Sequence, residues 1–135
     1  MIRDDRGTFR GAGQAKGRHV NTAMESEFQA LILAMQSCWI KGYTRVCFEG
    51  DNKTVVELLH GRQHNFNIFN WIREARIWRD KFNDCQFTWV RRDHNKAADI
   101  LAKHRIPSDA LSHFYNLIPN VITNALYRDF NPYLI

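Results

Sequence analysis

The sequence predicts an α/β domain, and three observations predict it. The β-branched and aromatic run Tyr43-Thr44-Arg45-Val46-Cys47-Phe48 passes through Glu49-Gly50 into a helical pattern with Val55, Val56, Leu58 and Leu59 apolar. Two long helical periodicities flank it, over residues 22–41 and 67–82. A second alternating strand, Cys85-Gln86-Phe87-Thr88-Trp89-Val90, leads into another helix. With 135 residues, 44% of them hydrophobic and 13% aromatic, the chain can bury a packed core and does not have the composition of a disordered segment.

From the N-terminus, Met1-Ile2-Arg3 is a short extended stub and Asp4-Asp5-Arg6-Gly7 is a turn, with Thr8 to Ala15 returning as a strand. A long strand facing a three-residue stub leaves most of its backbone groups without partners, so the sequence reads as starting inside a structural unit. The glycines of the returning arm suit a bulged edge strand or close approach to a ligand. Lys16 to Asn21 is a polar loop. Thr22-Ala23-Met24-Glu25 then fits a capping box, which gives Glu25 a structural task. The helix continues to about Lys41 with Phe28, Leu31, Ile32, Met35 and Trp39 at helical spacing, and Gly42 ends it. Glu27 points about 200° away from Glu25 round the helix and has no evident structural task.

Asp51 falls where the strand ends and the next helix begins. An Asp there most often caps the helix. It can also hold a metal ion, because ligands of open α/β sheets bind at the carboxyl edge. The helical pattern of 67–82 puts Trp71, Ala75, Trp78 and Phe82 on one face as core, with Arg73, Arg76 and Arg79 on others. After the second strand, Asp93 is an N-cap candidate. Asp99 lies four residues after Asn95 and four before Lys103, so it reads either as an exposed ion pair or as a carboxylate aimed at a shared site. Pro107 closes that helix. Ser108-Asp109 suits the cap of a short helix through Leu117, and 107–135 reads as a helical packing appendage to a domain spanning 1–106.

Net charge is +5, with 19 Lys and Arg against 14 Asp and Glu. Residues 60–105 alone hold ten basic residues and five acids, which points to a polyanionic partner such as nucleic acid, or else to a solvated surface. Three cysteines in apolar patterns, without Cys-x-x-Cys, argue against a disulfide scaffold, a disulfide-linked partner or a zinc site. Buried, reduced thiols fit an intracellular compartment, nuclear or cytoplasmic. No apolar run reaches the length of a membrane span, so no membrane partner is expected.

Glu27, Asp51 and Asp99 remain, far apart in the chain and able to reach one sheet edge if helices flank the Asp51 strand. Carboxylates brought that close stay ionised only around cations, which is the demand of two-metal phosphoryl chemistry. The stretches Thr22-Ala23-Met24-Glu25-Ser26-Glu27-Phe28-Gln29-Ala30-Leu31, Phe48-Glu49-Gly50-Asp51 and Arg92-Asp93-His94-Asn95-Lys96-Ala97-Ala98-Asp99-Ile100-Leu101-Ala102 resemble type 1 ribonuclease H. The resemblance is to plant ribonuclease H-like domains related to retroelement reverse transcriptases, and it covers about residues 1–104. It implies a mixed five-stranded sheet flanked by helices and cleavage of the RNA strand of RNA/DNA hybrids with Mg²⁺ or Mn²⁺.

In that family four acids hold the metals. Glu27 matches the second, Asp51 the third and Asp99 the fourth, and Asn95 matches a residue that contacts nucleic acid. Arg73, Arg76, Arg79, Arg91 and Arg92 are the further candidates for nucleic-acid contact, on hybrid or duplex. The first acid belongs to the family's central first strand, which would precede Met1. Asp4 and Asp5 lie in the hairpin turn and do not replace it. The resemblance therefore implies an N-terminally truncated ribonuclease H-like fold, with an upstream strand or domain outside this chain. It also implies cleavage that is weak or absent. A non-catalytic nucleic-acid-binding module or a protein-interaction remnant is the alternative.

Overall fold

A computed structural model describes residues 1–17, 19–107 and 110–130, the side chains of 127–130 excepted. The strands are β1 (Ile2–Arg3), β2 (Phe9–Ala15), β3 (Arg45–Gly50), β4 (Asp84–Trp89) and β5 (Ser112–Tyr115). The helices are α1 (Ala23–Ile40), α2 (Lys53–Leu59), α3 (Phe69–Arg79), α4 (Lys96–Lys103) and α5 (Thr123–Phe130). Short 3₁₀ turns at Phe66–Ile68, Arg92–His94 and Asn120–Ile122 precede α3, α4 and α5. Strand pairing among the described residues gives two sheets, a three-stranded one in the order β1-β2-β5 and a parallel pair β3-β4. The chain forms two compact units, Gly17–Val90 and Met1–Lys16 with Arg91–Ile135.

In the 17–90 unit, β3 and β4 run parallel from Arg45↔Asp84 to Gly50↔Trp89. Phe48 and Phe87 stack across the pair with centroids 6.0 Å apart, and Phe82 meets Phe48 edge-on at 5.9 Å. All three rings are buried. The helix α1 buries Phe28, Ile32, Met35 and Cys38. The last of these replaces the expected Trp39, which stays 48% exposed and meets Trp78 edge-on at 6.0 Å, with the Lys81 ammonium over both rings. Gly42, at φ +84°, closes α1. Its N–H bonds the Trp39 carbonyl and the Tyr43 N–H bonds that of Cys38, the pattern of a Schellman motif.

On α3 the buried positions are Ile72 and Ala75. Trp71 and Trp78 are only half-buried, so the inward face is rotated from the one expected. Of the cysteines, Cys38 is buried and Cys85 half-buried, and burial pushes the Cys85 thiol up to about 11. Cys47 is exposed, contrary to expectation, and its Sγ lies 3.3 Å from Thr88 Oγ1 across the strand pair.

In the other unit, Asp4 organises the β1–β2 hairpin. Its carboxylate accepts from the backbone N–H of Arg6 and Thr8, at 3.0 and 2.9 Å, and from Arg10 Nη2 at 2.8 Å. The register jumps from Arg3↔Phe9 to Ile2↔Gly11, a bulge. Gly11, at φ +153°, lies under the Phe114 ring, which a Cβ there would overlap. Of the two roles open to the glycines, the bulge is present, and the close approach at Gly11 is made by Phe114 of β5.

Residues 112–115 form a strand, not part of a helix running to Leu117, because β2 has an edge that β5 pairs from Ala12↔Tyr115 to Ala15↔Ser112. The Ser108-Asp109 cap lies outside the described residues. Ala12, Ala97, Leu101, Ile122 and Ala125 form the core. Within it Gln14, 8% exposed, donates to the carbonyls of Leu101 (2.6 Å) and His104 (2.7 Å) and accepts from Tyr115 Oη–H (2.7 Å).

Two outcomes follow for this unit. Gln14→Leu leaves buried polar groups short of partners and lowers unfolding stability by about 2 kcal/mol, while Tyr115→Phe removes one bond and costs about 1 kcal/mol; urea titration of both variants checks this. The Thr8 backbone N–H, then Arg10 and the Arg6 N–H, hold the Asp4 carboxyl below its usual 3.8. A carboxyl lowered in the folded state stabilises above its unfolded value and loses that contribution as pH falls through the folded one. Amide exchange at Thr8 and Arg6 should therefore accelerate as pH falls below 3.8, after correction for intrinsic rates, and Asp4→Asn should abolish that dependence.

Candidate functional site

Glu27 occupies an exposed position near the start of α1. The cap of that helix is made by its neighbours. Thr22 Oγ1 accepts from the Glu25 N–H at 3.2 Å, and Glu25 Oε2 accepts from the Asn21 N–H at 3.3 Å. Glu25 therefore carries the structural task expected of it.

Asp51 is half-buried in the bend between β3 and α2. Capping falls one residue later. Asn52 is the N-cap, and its Oδ1 accepts from the Val55 N–H at 3.2 Å. The cap that the strand–helix boundary demanded is thus supplied by Asn52, a residue type equal to Asp in this role. The Asp51 carbonyl accepts from Trp89 Nε1–H at 3.2 Å, so the turn bearing the carboxylate is tied to the end of β4.

Asp99 lies in the first turn of α4, where the helix macrodipole favours an acid. Its Oδ2 pairs with Lys103 Nζ at 3.0 Å, and both side chains reach solvent. An exposed i,i+4 pair of this kind contributes about 0.3–0.5 kcal/mol. Asn95 is the N-cap residue of α4, without a side-chain cap bond, and its carbonyl accepts from the Asp99 N–H at 3.1 Å. Asp93 is not the cap. It lies in the 3₁₀ turn and pairs with Arg91 at 3.4 Å.

The arginines divide by environment. Arg73, Arg91 and Arg92 are exposed. Arg76 and Arg79 are half-buried in the last turn of α3, where cations complement the macrodipole. Arg76 Nη2 donates to the Leu58 carbonyl at 3.4 Å, and Arg79 Nε pairs with Asp80 at 3.4 Å.

Mg²⁺ needs several hard oxygen ligands held together. Carboxylates have that chemistry, but among the described residues no three His, Cys, Asp or Glu side chains stand together as a metal-holding group. Glu27 and Asp51, in the 17–90 unit, and Asp99, in the other, each have the donor type for a divalent ion. The sequence places Trp89 only as one residue of an alternating strand. It is 43% exposed, and Lys53 Nζ lies 5.7 Å from its ring centroid. The available signal was its place as the last strand residue on the rung beside Gly50.

No helix among the described residues is long and apolar enough to cross a membrane. Comparison with curated proteins finds no match. Among solved structures, RNase H1 from the halophilic archaeon Halobacterium salinarum NRC-1 is similar, at 28% identity and a TM-score of 0.59 over 61% of this chain. The chain spans 64% of the length of that protein. Its mixed strands and flanking helices match the ribonuclease H fold. Residues 1–105 match the reverse transcriptase-like family, a stretch that takes in Glu27, Asp51, Asn95 and Asp99 and stops before β5. The chain belongs to this reverse transcriptase-like, ribonuclease H-like family.

Proposed function

We propose that the chain is a ribonuclease H-type nucleic-acid-binding domain for RNA/DNA hybrid or duplex, with hybrid cleavage weak or absent. The family match over residues 1–105 carries the reading, because it covers every candidate acid and the Arg-rich segment together. The exposed Arg73, Arg91 and Arg92 supply cations for phosphate oxygens, and Asn95 supplies a neutral polar contact beside them in sequence. In the family reading, Glu27, Asp51 and Asp99 are the carboxylates that would hold Mg²⁺ or Mn²⁺, whose chemistry is activation of water against a phosphodiester. The retroelement-related, plant-type resemblance and an intracellular site of action, nuclear or cytoplasmic, belong to the same proposal. So does the assignment of 107–135 as a segment added to the matched domain.

The test is a labelled RNA/DNA hybrid titrated with the chain at two salt concentrations, followed by a cleavage assay in Mg²⁺ and in Mn²⁺. Three phosphate contacts give a salt slope of about −2.7, an affinity loss of about 40-fold between 50 and 200 mM salt. Asp51→Asn should leave hybrid affinity within about two-fold, since the contacts are made by cations. Cleavage should stay at background. Strong cleavage abolished by Asp51→Asn would show an assembled metal site and overturn the impaired-enzyme part. No binding at the lower salt would overturn the whole reading.

A further inference from the structure

The end of the β3–β4 pair holds two side chains whose placement the fold itself does not require. Trp89 closes β4 opposite Gly50, and the Val90 N–H bonds the Gly50 carbonyl at 2.9 Å, so the two chains leave the ladder side by side. The indole edge is used, since Nε1–H donates to the Asp51 carbonyl. Its ring nevertheless remains 43% exposed, a large apolar surface left in water. Lys53 opens α2, two residues after Asp51, and its ammonium lies 5.7 Å from the ring centroid. A cation in the first turn of a helix opposes the macrodipole. Each placement is unfavourable taken alone, the cation–π contact between them offsets part of that cost, and both fall beside the same turn.

The Trp39–Trp78 pair with Lys81 is the obvious comparison. There the rings pack edge to face on each other, where α1 and α3 end and lead into the starts of β3 and β4. Trp89 is 5.7 Å from a lysine but packs on no other aromatic ring among the described residues, and it lies at the carboxyl edge, where ligands of α/β sheets bind. An exposed indole beside a mobile ammonium is the pairing that nucleic acid uses. The flat ring takes a base or ribose face, and the cation takes the adjoining phosphate.

We propose that Trp89 and Lys53 form a polynucleotide contact beside Asp51, with the indole stacking on a nucleotide and the ammonium pairing with its phosphate. The same ring anchors the Asp51 turn through its N–H, so the contact and the carboxylate share one rigid support. This rests on the nucleic-acid reading above and adds to it the residues that seat one strand.

The experiment is fluorescence anisotropy of a fluorescein-labelled RNA/DNA hybrid with the full chain and with Trp89→Phe, Trp89→Ala and Lys53→Gln, at several salt concentrations. Trp89→Ala should weaken binding about 5- to 150-fold, the range for loss of one stacked base. Trp89→Phe keeps a ring and should bind within about three-fold of the unmodified chain. Lys53→Gln should flatten the salt slope by about 0.7–0.9, one phosphate contact. Should Trp89→Ala fail to fold, the exposed Lys53→Gln variant decides through its salt slope. Unchanged affinity and slope in the variants, with the unmodified chain binding, overturns this contact alone. Equal losses in Trp89→Phe and Trp89→Ala place the effect on the N–H and overturn ring stacking. No binding by the unmodified chain overturns this proposal and the reading beneath it.

Discussion

The parallel register of β3 with β4 is the constraint on which the 17–90 unit depends. The six rungs from Arg45↔Asp84 to Gly50↔Trp89 bring Phe48 and Phe87 onto one face, where Phe82 meets Phe48. A slip of one residue would turn every side chain of one strand to the opposite face and expose its phenylalanine. The aromatic layer therefore fixes the register, and the register fixes where the strands end. Asp51, Asn52 and Lys53 follow from that ending in strict order. One takes the bend, one caps α2 and one opens it. The Trp89 N–H then holds the Asp51 carbonyl from the neighbouring strand. The Asp51 turn is thus placed by the strand register that the three buried rings fix, together with the Trp89 bond to its carbonyl.

Gln14 has the corresponding position in the other unit. Its amide nitrogen donates to the Leu101 and His104 carbonyls at the C-terminal end of α4, the first of which also accepts from the His104 N–H. Its oxygen takes the Tyr115 hydroxyl. A residue of β2 therefore ties together the helix that carries Asp99 and a strand lying beyond the family-matched stretch. Phe114 over Gly11 reinforces the same junction. Residues 112–115 behave as part of this unit's sheet and core, because they complete the bonds of a buried polar group that β2 cannot satisfy alone.

Local chemistry made much of this legible. Helix starts and stops at Thr22 and Gly42, the strand ending before Asp51, and the second strand running to Trp89 all follow from capping, glycine and alternation. What depended on remote partners was not legible. Ser112-His113-Phe114-Tyr115 carries a strand-forming composition, but its pairing is decided by an edge of β2 about a hundred positions earlier. Whether Trp39 or Cys38 faces inward depends on a fraction of a helical turn, settled by packing against α3. Asp51 and Asn52 are equally good caps by type, and only the geometry of the bend assigns the role. Among the site residues, Glu27 was visible as an acid lacking a structural task, while Asp51 and Asp99 each carried a structural alternative, a cap or an ion pair; the exposure of Trp89 was hidden because strand alternation alone does not say which face is covered.

Composition also overstated the cations available to a polyanion. Ten basic residues lie in 60–105, yet several have intramolecular partners. Arg76 bonds the Leu58 carbonyl, Arg79 and Asp80 pair, Lys103 holds Asp99, and Lys81 covers two indole rings. Lys81 and Lys103 can swing to a phosphate, because exposed pairs of this kind contribute only tenths of a kcal/mol to about 1 kcal/mol. Arg76 and Arg79 are less able to do so, since their half-buried stems also pack the end of α3. Affinity for nucleic acid is therefore governed by which cations can leave their present partners at small cost. On that ground the exposed Arg73, Arg91, whose pair with Asp93 is also exposed, and Arg92 outrank the α3 pair that the charge count had placed beside them, and the exposed Lys53, outside the counted stretch, ranks with them.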